Sequence, residues 1–495
     1  MSDVEPMPGS GTTVNLSLIS HTNAGKTTLA RTLLGRDIGE VRDAAHVTDL
    51  SSGHVLVQSG EDTLMLWDTP GFGDTARLLG RLRLSGNPIG WFLTQVWDRW
   101  RERPLWSSQQ AIKNAREQAD VILYLVNAAE EPASASYVAL EMEVLAWIGK
   151  PVVLLLNQMG PPREDVSNEI ARWSGVGAPG QVRGTLPLDA FARCWVQEMA
   201  LLETVMPLLT HRKAQAMAGL TARWEELNLA RFDSSMMVLA AYLQRAARDR
   251  ETVEDANWQD KAAAAIAGRS KADQAAQKAM GLLATRLAES TARSTDELIH
   301  LHGLSGKAAR KVLERVSDDY AHQAKTPEGA TAALGGIFSG AIGGLAADLA
   351  AGGLTLGGGM IVGAILGALS GTGIAKGFNL ARGEDSSSVR WSSELLERLT
   401  VTALLRYLAV AHFGRGRGEW SEGEHPIFWQ AIVGEAVAEQ KNILARLLKT
   451  SATGNGENLD PDKALAGLLR QLGLTILARL YAGSKVPAVS REPSS

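Results

Sequence analysis

Eight consecutive residues, Ser20-His-Thr-Asn-Ala-Gly-Lys-Thr27, carry the densest chemistry in the chain. Their spacing is that of the phosphate loop G-x-x-x-x-G-K-[ST], with Ser20 where the first glycine is usual. Such a loop turns the backbone N–H groups of Ser20, His21, Thr22, Asn23, Ala24, Gly25 and Thr28, and the positive end of a helix, toward phosphate oxygens. Lys26 would place a point charge at the β and γ oxygens, and the Thr27 hydroxyl could ligate Mg²⁺. Ser20 is small enough to retain the first turn with some strain, and His21 is expected to shape the loop without acid–base work. A second motif, Asp68-Thr-Pro-Gly71, lies downstream. Asp68 would hold Mg²⁺ through water, and the Gly71 N–H would meet the third phosphate. Thr48, between the motifs, is the hydroxyl placed for the other switch and completes the metal set Thr27, Thr48 and Asp68. Taken alone, Gly-Lys-Thr could be an ordinary strand–turn–helix with a surface lysine; the second motif argues for a nucleotide fold.

The elements that would position these residues can be read from apolar periodicity. Val14–Ile19 predicts a strand, and Leu29–Leu34 a helix stopped by Gly35. Gly53–Gln58 and Thr63–Trp67 predict a hairpin turning at Ser59–Asp62, so Asp68 closes a strand. Asp120–Val126 and Pro151–Leu156 are continuous apolar runs, with a helical pattern over Ser134–Ile148 between them. Strands of that kind alternating with helices predict a mainly parallel α/β sheet covered on both faces. This first domain is expected over residues 12–205.

The constellation resembles the Era/TrmE-like branch of bacterial P-loop GTPases, on the phosphate loop, Thr48 and Asp68-Thr-Pro-Gly-Phe72. The resemblance covers residues 12–205 and implies binding of GTP and GDP with Mg²⁺. The sequence departs from the family in two places. After the second apolar run the family has Asn-Lys-x-Asp, whereas this chain has Asn157-Gln158-Met159-Gly160. The missing aspartate would accept two hydrogen bonds from the guanine edge, each contributing roughly 1.5–3 kcal/mol, so ATP or relaxed purine use stays open beside GTP. Glu164 or Asp165 could substitute. Asn157 can still tie the base loop to the phosphate loop, and Asp189-Ala190 resembles the last base-contacting loop. Phe72 stands where Ras-like enzymes place a water-orienting glutamine. Some relatives in this branch use K⁺ with nucleotide-dependent dimerisation, and Asn23 occupies the position of their potassium-binding asparagine; its alternative role is to stabilise the loop. Lys26, Thr48 and Asn23 are thus the expected catalytic set, with slow hydrolysis by the monomer.

The whole chain has 495 residues, 45% of them hydrophobic, and a net charge of −4. Acidic and basic residues nearly balance, so no global charge steers it to nucleic acid, and no nucleic-acid partner is expected. One cysteine, Cys194, excludes an internal disulfide and a multi-thiolate metal site. The first thirteen residues lack a signal-peptide layout, and a reducing cytoplasmic setting is expected. His300 and His302 are two apart on a predicted helix and make a poor zinc pair. The basic stretch His412–Trp420 is read as a solvated loop, with contact to anionic lipid as its functional alternative.

An insert at 76–118 holds Trp91, Trp97, Trp100 and Trp106 interleaved with arginines. Leu93, Trp97 and Trp100 could share one helical face, packed on the C-terminal helical domain or docking a membrane or partner. From 206 the strand signals stop. A helical region is expected at 206–326, a glycine-rich helical hairpin at 327–380, a second helical region at 385–485 and a disordered tail at 486–495. The hairpin carries Gly336-x₃-Gly340-x₃-Gly344 and Gly359-x₃-Gly363-x₃-Gly367-x₃-Gly371. These small-residue stripes would let helices approach closely, in lipid or within a soluble bundle. This half resembles a glycine-rich C-terminal domain of unknown function carried by a bacterial GTPase family. The expectation is a switch on the cytoplasmic side of the inner membrane, in contact with lipid through the hairpin, dimerising through the G domain or the zipper. Two alternatives are a nucleotide-bound scaffold with little turnover and a pore-forming hairpin.

Overall fold

The computed structural model describes residues 11–22, 24–35, 51–84, 86–95, 102–159, 166–188, 194–253, 271–304, 378–382, 387–413, 427–453, 461–482 and 484–487. The chain divides into two compact units. The first comprises Met1–Ala230, Ala411–Pro426 and Tyr481–Val486; the second comprises Arg231–Val410, Ile427–Leu480 and Pro487–Ser495.

The first unit is built on a six-stranded sheet of β1 (Thr13–Ser20), β2 (Ser52–Ser59), β3 (Asp62–Asp68), β4 (Val121–Asn127), β5 (Val152–Asn157) and β6 (Val182–Pro187). Its spatial order is β2-β3-β1-β4-β5-β6. Only β2 runs antiparallel, joined to β3 by a turn at Gly60–Glu61, with Ser59 opposite Asp62. The remaining pairs are parallel. Alternation along the strands divides the core in two. Ile122, Tyr124 and Val126 of β4 face one side with Leu154 and Leu156. Val121, Leu123 and Leu125 face the other with Leu16, Leu18 and Leu155. Burial on both faces is why β4 and β5 read as unbroken apolar runs.

Helices α1 (Lys26–Leu34), α2 (Thr75–Leu82), α3 (Pro88–Thr94), α4 (Arg103–Glu117), α5 (Ser136–Ile148), α6 (Ser167–Ser174) and α7 (Trp195–Val205) connect or cover the strands. Leu29 and Leu33 of α1 enter the core beside Leu16, whereas Phe92 of α3 and Leu105 of α4 enter the opposite one. The described part of the insert therefore packs on the sheet of its own unit. Helix α3, which carries Leu93, ends at Thr94, and Gln95 is extended. Gln109 Nε2 donates to the carbonyls of Phe92 and Gln95, and Thr94 Oγ1 donates to that of Trp91, which caps the helix end. Trp97 and Trp100 lie outside the described residues.

Beyond α8 (His211–Arg248), the second unit contains α9 (Lys271–Leu301), α10 (Ser393–Ala411), α11 (Ile427–Glu439), α12 (Lys441–Thr453) and α13 (Pro461–Leu480). Helix α13 packs on α11 and α12. The strand signals do not stop at 206. Strands β7 (Arg250–Val253), β8 (Phe378–Arg382) and β9 (Ser387–Trp391) form an antiparallel sheet in the order β7-β9-β8. At four or five residues each, with charges inside, they are too short for alternation to register. The expected glycine-rich hairpin lies outside the described residues except for 378–380, which belong to β8; the tail beyond 487 also lies outside them. Among the described residues no helix is long and apolar enough to cross a membrane.

Candidate nucleotide site

The phosphate loop forms where β1 ends and α1 begins. Gly25 caps α1 in the left-handed region at φ 89°, and Lys26 is the first helical residue. A Cβ on Gly25 would lie 2.6 Å from the Asn157 amide nitrogen, so the position admits only glycine. Ser20 needs no such freedom. It ends β1 in extended backbone, and among the described residues Gln158 alone is a non-glycine at positive φ, 57°. The strain expected at Ser20 therefore sits instead beside Asn157.

Lys26 is 7% exposed, and its Nζ donates to Ser20 Oγ at 3.1 Å. Burial pushes its ammonium below the ordinary 10.5, while the nearby charges of Asp68 and Glu141 act the other way. Thr27 Oγ1 donates to Asp68 Oδ2 at 2.7 Å. Burial pushes the Asp68 carboxyl above its ordinary value, against Lys26 and the Thr27 bond. Asp68 Oδ1 is buried without a hydrogen-bond partner. A hydroxyl and a carboxylate with an unspent oxygen, at the head of a phosphate loop, fit Mg²⁺, which takes hard oxygen ligands beside substrate phosphates. Thr27 and Asp68 would hold it. Thr48 and Asn23 lie outside the described residues.

The second motif is zipped to the loop. Phe72 N–H donates to Ser20 O at 2.9 Å, and Phe72 O accepts the Thr22 N–H at 3.2 Å. The Thr22 hydroxyl adds a bond to the same carbonyl at 2.6 Å. A Cβ on Gly71 would stand 2.9 Å from Thr22 Cα and 3.1 Å from Lys26 Nζ. Gly71 thus brings its backbone against the lysine with no room for a side chain. Phe72 is fully buried in the core.

Asn157 closes the far side. It is buried at the end of β5, and its Nδ2 donates to Ala24 O at 2.8 Å, the tie between base loop and phosphate loop that the sequence suggests. Thr28 is buried in the first turn of α1, and Met159 packs against the core. Gly160, Glu164, Asp165, Asp189 and Ala190 lie outside the described residues. The last two follow Leu188, which is buried beside β5, its N–H on Leu156 O at 3.1 Å.

Glu141 of α5 was not legible as a site residue. Fully buried, it meets His21 Nδ1 at 2.6 Å, Thr75 Oγ1 at 2.9 Å and Tyr124 OH at 2.6 Å. The signal was there: Val138, Met142 and Leu145 make an apolar stripe at helical spacing, and Glu141 stands inside it. The remaining histidine expectations also sharpen. His302 Nε2 lies 3.3 Å from Ser235 Oγ. His412 is 5% exposed with its Nε2 on Tyr481 OH, so the predicted solvated loop begins from a buried residue. Among the described residues no group of His, Cys, Asp and Glu could hold a metal by itself.

Comparison with known proteins agrees with the site. The family model described as 50S ribosome-binding GTPase matches residues 15–158. The model described as Domain of unknown function (DUF3482) matches residues 182–474, more than half of the chain. No curated protein matches. Among solved structures, the chain is similar to a single-residue variant of Aquifex aeolicus Era bound to GDP.AlF4-, at 20% identity over 40% of this chain and 57% of that one, with a TM-score of 0.29. It is also similar to mGMPPNP-bound NFeoB from S. thermophilus, at 15% identity over 47% and 71%, TM-score 0.23. A third, a probable GTP-binding protein engB, shows 13% identity over 36% and 88%, TM-score 0.22. The chain spans under three fifths of the Era chains it matches. With the phosphate loop, the Asp68–Gly71 motif and the Asn157 tie arranged on a mainly parallel sheet, the chain carries a P-loop GTPase domain and belongs to the DUF3482 family.

Proposed function

We propose that this protein is a nucleotide-dependent switch that binds GTP with Mg²⁺ and hydrolyses it slowly. The observation that carries the reading is the convergence of buried Lys26 and Asp68 with half-buried Thr27, and Gly71 pressed against the lysine. Lys26 and the loop amides bind the β and γ phosphates, Thr27 and Asp68 hold Mg²⁺, and Gly71 meets the third phosphate. Thr27 and Asp68, joined here by a direct hydrogen bond, are the residues that would hold the metal. Bound there, the metal supplies charge neutralisation of the phosphate oxygens.

Phe72 is buried and offers no polar group to orient water. Unaided turnover is therefore expected on the order of 10⁻⁴ to 10⁻² s⁻¹. Acceleration comes from K⁺ held at Asn23, with Thr48 closing the first switch, as G domains of two copies dimerise. Gly160 stands where the acidic guanine reader of the family would be, so GTP is preferred over ATP by a narrow margin, aided by Asp189-Ala190. Residues 329–377 bring the protein to the inner membrane from the cytoplasmic side. A nucleotide-bound scaffold with little turnover is the second reading, favoured by the buried Phe72.

Binding of labelled GTP, GDP and ATP with Mg²⁺, in K⁺ or Na⁺, tests this. Lys26→Ala should weaken GTP binding about 10–100-fold through its lost charge-assisted bonds. Hydrolysis faster in K⁺ than in Na⁺ supports the switch. Nucleotide binding without turnover in either salt favours the scaffold, and Lys26-independent binding ends both readings.

A further inference from the structure

Helix α5 carries two glutamates with opposite fates. Glu143 faces outward and pairs with Arg83 at 2.6 Å. Glu141 is fully buried at a position where its neighbours on the same face are Val138, Met142 and Leu145. An apolar residue would satisfy packing there. Burying a carboxylate costs several kcal/mol unless it is well hydrogen-bonded, so the bonds it makes indicate what it is for.

Those bonds gather three elements onto one carboxylate. Oε1 receives His21 Nδ1 of the phosphate loop at 2.6 Å and Thr75 Oγ1, the first residue of α2, at 2.9 Å. The Thr75 hydroxyl also lies 3.1 Å from Gly73 O. Oε2 receives Tyr124 OH from β4 at 2.6 Å. The His21 ring rests on Tyr137 of the same helix, with centroids 4.3 Å apart. His21 sits between Ser20 and Thr22, the two residues bonded to Phe72, and Thr75 lies three residues beyond Phe72. The backbone zip and the side-chain cluster on Glu141 therefore hold the same two segments.

We propose that Glu141 is a positioning residue that couples the second switch to the phosphate loop. By holding His21 and Thr75 together it keeps Gly71 against Lys26, the place where a third phosphate would arrive. This rests on the GTPase-switch reading above. A diphosphate does not reach Gly71, so the coupling strengthens triphosphate binding selectively.

The test compares affinities for GDP and a non-hydrolysable GTP analogue, both with Mg²⁺, in the full-length protein. Glu141→Gln keeps the shape but turns one acceptor into a donor facing donors. Thr75→Val removes the hydroxyl at constant size, and Thr75→Ser restores it. Each disruptive variant should lose about tenfold in analogue affinity, the effect of one charge-assisted bond, with GDP affinity within about twofold of wild type. Thr75→Ser should recover the wild-type ratio. The double variant should be no worse than the worse single one, because both remove one interaction. Equal weakening of both nucleotides, no change in either, or strict additivity would overturn the proposal. If Glu141→Gln does not fold, the Thr75 pair decides it. Should wild type bind neither nucleotide, the GTPase reading falls and this inference with it; wild-type binding with an unmoved ratio removes the coupling alone.

Discussion

Lys26 shows how one side chain sets a condition on binding. Its ammonium is 7% exposed and burial lowers its pKa below 10.5. Polyphosphate oxygens beside it favour the charged form and raise the value again. Between the two values, binding must take up a proton. Affinity is therefore full below the free protein's Lys26 pKa and falls as pH rises through it, earlier than an ordinary lysine would dictate. Calorimetric titration in buffers of different ionisation heat should show proton uptake in that window. Lys26→Arg should abolish the uptake, since arginine stays protonated. A flat affinity up to 10.5, without uptake, would contradict this account. Lys26 was readable because its neighbours in sequence define its role. Glu141 was not: a glutamate in an apolar stripe signals a buried partner without saying which, and His21 and Thr75 lie 120 and 66 residues away.

At the scale of elements, two glycines bound α1 and differ in what surrounds them. Gly25 has φ 89° with the Asn157 amide 2.6 Å from where a Cβ would sit. Gly35 has φ 62° with nothing within 4 Å. Gly35→Ala should cost only the left-handed strain, about 1–2 kcal/mol, with nucleotide binding intact. Gly25→Ala adds displacement of Asn157 from Ala24 O, and nucleotide affinity should fall as well as stability. Denaturant titration and nucleotide binding on the two variants check this; a Gly35→Ala variant that also loses nucleotide would refute the distinction. Among the elements, β4 and β5 were legible because burial on both faces writes an unbroken apolar run. Strands β7, β8 and β9 were not, because each is short, and β7 takes its hydrogen bonds from β9, remote in sequence. Helix α3 was overextended in the reading, since side chains of Thr94 and Gln109 decide where it stops.

Over the molecule as a whole, the second unit holds a buried charge that no motif announced. Arg406 is 1% exposed. Its Nη1 donates to Thr291 O, Ser294 Oγ and Thr295 Oγ1, each at 3.0 Å, and its guanidinium lies 4.6 Å from the Tyr242 ring centroid. Its Nε and Nη2 have no hydrogen-bond partner. Replacing an imperfectly compensated buried charge with an apolar side chain of similar length is often neutral or stabilising. Arg406→Met should therefore change stability by less than about 1 kcal/mol, whereas Arg406→Ala leaves a cavity and should cost about 2–4 kcal/mol. Urea denaturation of both variants reads this, and a large loss in the methionine variant would show that the guanidinium is net stabilising. The sequence by itself determined the phosphate loop, the Asp68–Gly71 motif and the parallel core, because each is written in contiguous residues through local backbone geometry or strand-length burial. Only the tertiary structure decided that Phe72 is zipped to Ser20 and Thr22, that Gln158 takes the left-handed backbone, and that Glu141 joins His21 to Thr75. Those contacts depend on chain closure over tens of residues, and no local pattern encodes which distant donor will meet a given acceptor.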